Sequence, residues 1–151
     1  MSFTTAEGRR QLLDDLAEGT EQIGVALTAL GEAYEQLDEQ TGDRLERDLF
    51  RPVQSAYGRA QRTHSEFATR TGLRTRTFTA PAVGLPAEAR DEVARAVDQL
   101  HLADDTLGTL QDSLLPVEVG DPELRAGISE VRSLIAPVPA RARELLRILG
   151  R

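Results

Sequence analysis

Apolar positions along this chain recur in alternating steps of four and three residues. Near the N-terminus the series is Leu16, Thr20, Ile23, Leu27, Leu30, Tyr34 and Leu37; near the C-terminus it is Leu124, Ile128, Val131, Ile135, Val138, Ala142, Leu145 and Leu149. That rhythm puts one apolar seam on each of several helices, and the seams are driven together by loss of contact with water. Punctuation between the seams predicts four helices over about residues 5–40, 43–71, 86–115 and 121–149. Thr41 and Gly42 are read as the first turn, Pro86 as a first helical position and Pro116 as a stop. Asp121 followed by Pro122 reads as an N-cap and first helical residue, and Gly150 as the end of the last helix. Pro52 should kink the second helix or delay its regular start, and Pro137 with Pro139 should bend or break the fourth near Ala136. The expected fold is all-α, a single-domain antiparallel up-down-up-down four-helix bundle spanning 1–151.

Charge is read as selecting that connectivity. Residues 1–40 carry a net −7, 41–80 a net +4, 81–120 a net −6 and 121–151 a net +2. In an up-down-up-down bundle each helix lies beside its sequence neighbours and the first also meets the fourth, so every adjacent pair would be opposite in sign. The Arg-rich second helix is accordingly read as a pairing face. It lacks the basic overall balance and interleaved aromatics of a nucleic-acid surface.

Composition removes several classes of chemistry. The 151 residues contain no cysteine, which excludes thiol chemistry and a disulfide framework and makes the cytoplasm the default compartment. A chain of this length buries roughly 70% of its unfolded surface without needing such staples. No apolar run approaches the roughly 20 residues that span a bilayer, and Met1 to Arg10 do not resemble a signal peptide. All 18 basic residues are Arg, a bias read as codon usage in a G+C-rich genome and not as a demand for guanidinium chemistry. No P-loop, paired-glycine fingerprint or HExxH is present. His64 and His101 are preceded three residues earlier by Gln61 and Asp98, not by the Glu of a di-iron bundle, so neither a metal nor a cofactor is expected. His101 is read as an exposed imidazole between Asp98 and Asp105, and His64 as a hydrogen-bonded histidine at the core edge, in line with Tyr57, Ala60 and Phe67.

Three features stand outside this frame. Asp104 falls within the stripe of the third helix, and counting along antiparallel neighbours brings Tyr57 and Arg132 to its level as a candidate buried polar cluster. Gly24 and Gly31, with Ala17 on the same edge, form a small-residue groove for a close helix contact, either within the chain or across a dimer. The connection from Gly72 to Leu85 is long for a bundle; it is expected to fold Phe78, Val83 and Leu85 over the core, or to receive an anion or acidic partner on Arg70, Arg74 and Arg76.

Seams without a reaction constellation point to a non-catalytic interaction or assembly protein, self-associating or bound to a protein partner. The alternative is a small-molecule binder or enzyme working between helices at Asp104, Tyr57 and Arg132. A membrane-surface or nucleic-acid-associated scaffold is a second alternative, disfavoured by the acidic balance and the lack of Lys.

Overall fold

The computed structural model describes residues 4–150. Within them the chain is all-α: α1 (Thr5–Glu35), α2 (Glu39–Leu45), a π turn (Glu46–Phe50), α3 (Arg51–Arg70), α4 (Ala89–Asp112), α5 (Leu115–Glu118), α6 (Pro122–Ile135) and α7 (Val138–Leu149). Four arms result, namely α1, the α2–π–α3 run, α4, and the α6–α7 run. No helix among the described residues is long and apolar enough to cross a membrane.

Local chemistry explains the ends. Thr4 and Glu7 form a reciprocal capping box at the start of α1, with Thr4 Oγ1 accepting from the Glu7 amide at 3.1 Å. The first turn lies at residues 36–38, earlier than Thr41 and Gly42, because the Asp38 carboxylate caps α2 by accepting from the Thr41 amide at 2.8 Å. Pro52 does not end the second arm, but the regular α-helix is interrupted just before it and resumes at Arg51, in line with the expected irregularity there. The preceding turn widens into the π segment, which makes room for the proline ring. Proline has no N–H for the Asp48 carbonyl, and the Arg141 guanidinium of α7 donates to that oxygen at 3.3 Å instead. The third arm starts at Ala89, after Pro86, and ends at Asp112, with Pro116 taken into α5. Asp121 Oδ1 accepts from the Leu124 amide at 2.8 Å to cap α6, and α6 gives way to α7 at Ala136 and Pro137.

Both apolar series turn inward. Leu16, Ile23, Leu30, Leu124, Ile128, Val131, Ile135, Val138, Ala142 and Leu145 are buried in one core with Leu45, Leu49, Val53, Phe67, Val93, Leu100 and Leu107. Thr20 shares that core and satisfies its hydroxyl on the Leu16 carbonyl at 2.8 Å. Tyr34 departs from the series: it is 40% exposed, with its ring lying over Gly42 beyond the end of α1.

The neighbours of each arm correct the expected topology. α1 packs most extensively on α4 and also on α3; α3 packs on α6, and α4 on α6 and α7. The pairs Gln22–Thr106 and Gln36–Ala87 show α1 antiparallel to α4, while Arg59–Glu130 and Arg70–Asp121 show α3 antiparallel to α6. Asp104–Arg132 and Gln111–Ser129 do the same for α4 and α6. With Gly24 against Tyr57 and Gly31 against Phe50, the second arm runs antiparallel to the first. The arms therefore run up, down, down, up, and the second and third are parallel across the diagonal. The up-down-up-down order does not hold for these contacts.

Residues 71–88 make that order physically possible. Gly72, at φ +71°, closes α3 while the Leu73 amide donates back to the Ala68 carbonyl at 2.8 Å. The chain then climbs the outside of α1 as a strap. Arg76 pairs with Glu21, Thr28 donates to the Pro81 carbonyl at 2.8 Å, and Gln36 donates to the Ala87 carbonyl at 2.8 Å. From Glu21 to Gln36 the strap follows α1 for about 22 Å at 1.5 Å per residue. Parallel arms need a crossover of such length. Of the three apolar residues expected to cover the core, Phe78 packs on it, whereas Val83 and Leu85 are 54% and 90% exposed.

Candidate functional site

Asp104 and Arg132 do meet. Arg132 Nε lies 2.8 Å from Asp104 Oδ1 and Nη2 lies 3.3 Å from Oδ2, and Nη1 donates to Gln111 Oε1 at 2.6 Å. Gly108 makes the approach possible, since a methyl group there would sit 3.0 Å from the guanidinium. The hydrogen bond to Asp104 holds the Arg132 guanidinium above its ordinary pKa. Both side chains keep contact with solvent, at 33% and 43% exposure, so the cluster is a clamp at the α4–α6 edge and not a buried layer. Ala103, not Asp104, takes the core position. Tyr57 is not part of the cluster: level with Arg132 along the bundle, it points to α1, where a methyl on Gly24 would lie 3.1 Å from its ring. Its phenol is pushed above the ordinary range by burial.

That same contact fills the small-residue groove. Gly24 receives Tyr57, a methyl on Gly31 would lie 3.9 Å from the Phe50 ring, and Ala17 is 2% exposed. The close approach along Ala17, Gly24 and Gly31 thus takes place within the chain, with α3 and the π turn. A second glycine contact, invisible in that pattern, joins α1 to α4, where Leu107 Cδ2 comes within 2.8 Å of a methyl placed on Gly19.

The three arginines of the anion-loop reading separate. Arg70 is engaged by Asp121 through two bonds of 2.9 Å and by Glu123 at 3.1 Å, and it lies over Phe67. Arg76 pairs with Glu21 and stacks on Phe78, 5.0 Å from the ring centre. Arg74 is in no ion pair with a described carboxylate and, with Arg76, lines an open cleft of about 410 Å³ between α1, α3 and the strap. Arg10, Leu13, Asp14 and Ala17 of α1 form one wall, His64 of α3 another, and Leu73–Arg76 the third.

His64 is 4% exposed, with the Phe78 ring set edge-on at 5.1 Å and 82°. Its Nδ1 is buried without a hydrogen-bond partner, a condition that costs roughly 1–3 kcal/mol. Burial lowers the imidazole pKa below 6.5, opposed by the Leu13 carbonyl and the Asp14 carboxylate. Burial thus favours the neutral ring near pH 7, and His64 lies at the core edge as its spacing indicated, its ring facing the Leu13 carbonyl while Nδ1 has no hydrogen-bond partner. Arg10 was absent from the sequence-level candidates because it lies more than fifty residues from the strap it faces.

The surface charge is segregated. α1 carries seven carboxylates against two Arg and α4 six against two, while α3 carries four Arg against Glu66 and α7 three against Glu144. Asp15, Glu18 and Asp105 line a shallow groove between α1 and α4, beside Thr106 and Thr109. Asp15 is held above the ordinary carboxylate range by burial and by its neighbours Glu18 and Asp14, with Gln11 opposing. Among the described residues, no group of three or more His, Asp or Glu is placed to hold a metal ion. His101 is exposed on α4. No protein-family model matches the chain, and neither a curated protein nor a solved structure matches it.

Proposed function

We propose that the chain is a non-catalytic interaction module that assembles with copies of itself through oppositely charged walls. The observation that carries this reading is the segregation of charge. The two most acidic helices, α1 and α4, lie side by side in the most extensive helix contact, and the basic α3 lies across the bundle beside α6. Like charges concentrated on one wall repel one another, and a cationic surface set against them removes that repulsion. The opposite wall of a second copy offers such a surface. Arg62 of α3 is exposed there and Arg125 of α6 is half-buried, and among the described residues neither is in an ion pair.

An acidic wall on one side and a basic wall on the other give a head-to-tail contact, which closes into a ring or runs on as a filament. Sedimentation velocity at about 20 mM and about 500 mM salt tests this, because screening at the higher value weakens exposed charge pairs. Association at low salt that disappears at high salt is the expected result. Glu18→Arg with Asp105→Arg, or Arg62→Glu with Arg125→Glu, should each give monomers, and mixing the two variants should restore pairs. A wild-type monomer at both salt concentrations, or association that survives both charge reversals, overturns the proposal.

A further inference from the structure

The cleft under the strap combines cations, an apolar wall and an unsatisfied buried polar atom, and the charged walls use none of them. Arg10 and Arg74 are exposed and in no ion pair with a described carboxylate, although Asp14 also lines the cleft. Arg76, the third guanidinium, is committed to Glu21. Leu13 and Ala17 from α1 and Leu73 from the strap supply apolar surface beside the two free guanidinium groups. On a chain of net charge −7, this is a local inversion of sign within the most acidic arm.

We propose that this cleft binds a small organic anion, its charged head between Arg10 and Arg74 and its apolar body against Leu13, Ala17 and Leu73. The volume of about 410 Å³ exceeds what an inorganic oxyanion fills and suits a molecule with a short hydrocarbon body. Guanidinium groups recognise carboxylate, phosphate and sulfonate heads alike through paired N–H donors.

His64 couples this binding to a proton. In the empty cleft the ring is neutral, with Nδ1 lacking any partner. A bound anion makes the local potential more negative and favours the charged imidazolium, against Arg10 and Arg74, which disfavour it, and alongside Asp14, which supports it. Binding therefore takes up a proton, and affinity rises as pH falls.

Hexanesulfonate is a suitable probe because its head does not titrate. Amide and imidazole NMR shifts of the full chain, followed between pH 5.5 and 8, should show it perturbing Leu13, His64 and Leu73. It should bind at least about tenfold more tightly than either sulfate or hexanol, as expected when head and body both contribute. Arg10→Ala with Arg74→Ala, both at exposed positions, should weaken it by about tenfold or more, and His64→Gln should flatten the pH dependence while leaving binding at pH 8 in place. Equal affinity for hexanol overturns the anionic recognition, and equal affinity for sulfate overturns the apolar half. No perturbation of the cleft, or an unchanged pH slope in His64→Gln, overturns the site or its proton linkage respectively.

Discussion

The α1–α4 and α3–α6 contacts join antiparallel helices in opposite ways. Across α3 and α6, charge and packing agree: Arg59 meets Glu130 at 2.6 Å, Arg70 meets Asp121 and Glu123, and Thr63 packs on Gly127. Across α1 and α4, two acidic helices lie together, joined by Leu107 against Gly19 and by one cross-helix bond of 2.9 Å from Thr106 to Gln22. The second pair forms the more extensive contact despite its charges. Magnitude explains why. A buried leucine contributes about 1.5–3 kcal/mol and an exposed ion pair about 0–1, so the apolar seams choose the neighbours and the charges accept the result.

Substitutions on the two faces test that ordering. The largest effect should come from Leu107→Ala, which empties a fully buried site where α4 meets Gly19; it should cost about 3–4 kcal/mol in urea unfolding. Arg59→Ala on the other face should cost less than about 1 kcal/mol despite its short contact with Glu130. Reversal of these two values would break the comparison at its root. Next is Gly127→Ala, where the new methyl overlaps Thr63 Oγ1, a hydroxyl already donating to the Arg59 carbonyl. Overpacking should cost about 1–3 kcal/mol, and a gain of about 1, as at an unconstrained helix glycine, would show that α3 and α6 do not approach so closely.

Smaller effects depend on pH. As pH falls below 6.5 the unfolded chain protonates His64 before the folded chain does, because burial holds the folded pKa down. Stability should therefore decline with falling pH in that window, and His64→Gln should flatten its share of the slope in thermal melts. Asp15 has the opposite sign: its folded pKa is raised, so ionisation weakens the fold as pH rises through that value, and the deficit persists at neutral pH. Asp15→Asn should raise Tm slightly at pH 7, more at low salt than at high. A lower Tm would mean that the acidic wall is not self-repelling.

The seams were legible in sequence because a 3.5-residue apolar rhythm depends only on local geometry. The cap at Asp121 and the break at Ala136 were legible for the same reason. Helix order was not, since net charges of −7, +4, −6 and +2 fit an alternating bundle that the packing does not adopt. The signal lay in the length of the segment after Gly72, which reads equally as a cover for the core or a partner loop. Parallel second and third arms require such a crossover, while an up-down-up-down chain has no use for it. Residue levels were read correctly for Asp104 and Arg132, but level does not specify the direction a side chain faces, and Tyr57 at the same height turns to Gly24. The cleft beside His64 escaped notice because the strap returns to α1 from far along the chain.

The crossover topology and the charged walls both follow from α1 lying beside α4, and nuclear Overhauser contacts to Gly19 report on that most directly. With the wild-type chain and labelled leucine methyls, strong cross-peaks are expected from the Leu107 methyls to the Gly19 α-protons, accompanied by contacts from the Tyr57 ring to Gly24. Leu107 methyl contacts to residues of α3 with none to Gly19 would place the second and third arms side by side, restore the alternating order, and contradict both the crossover topology and the charged walls built on it.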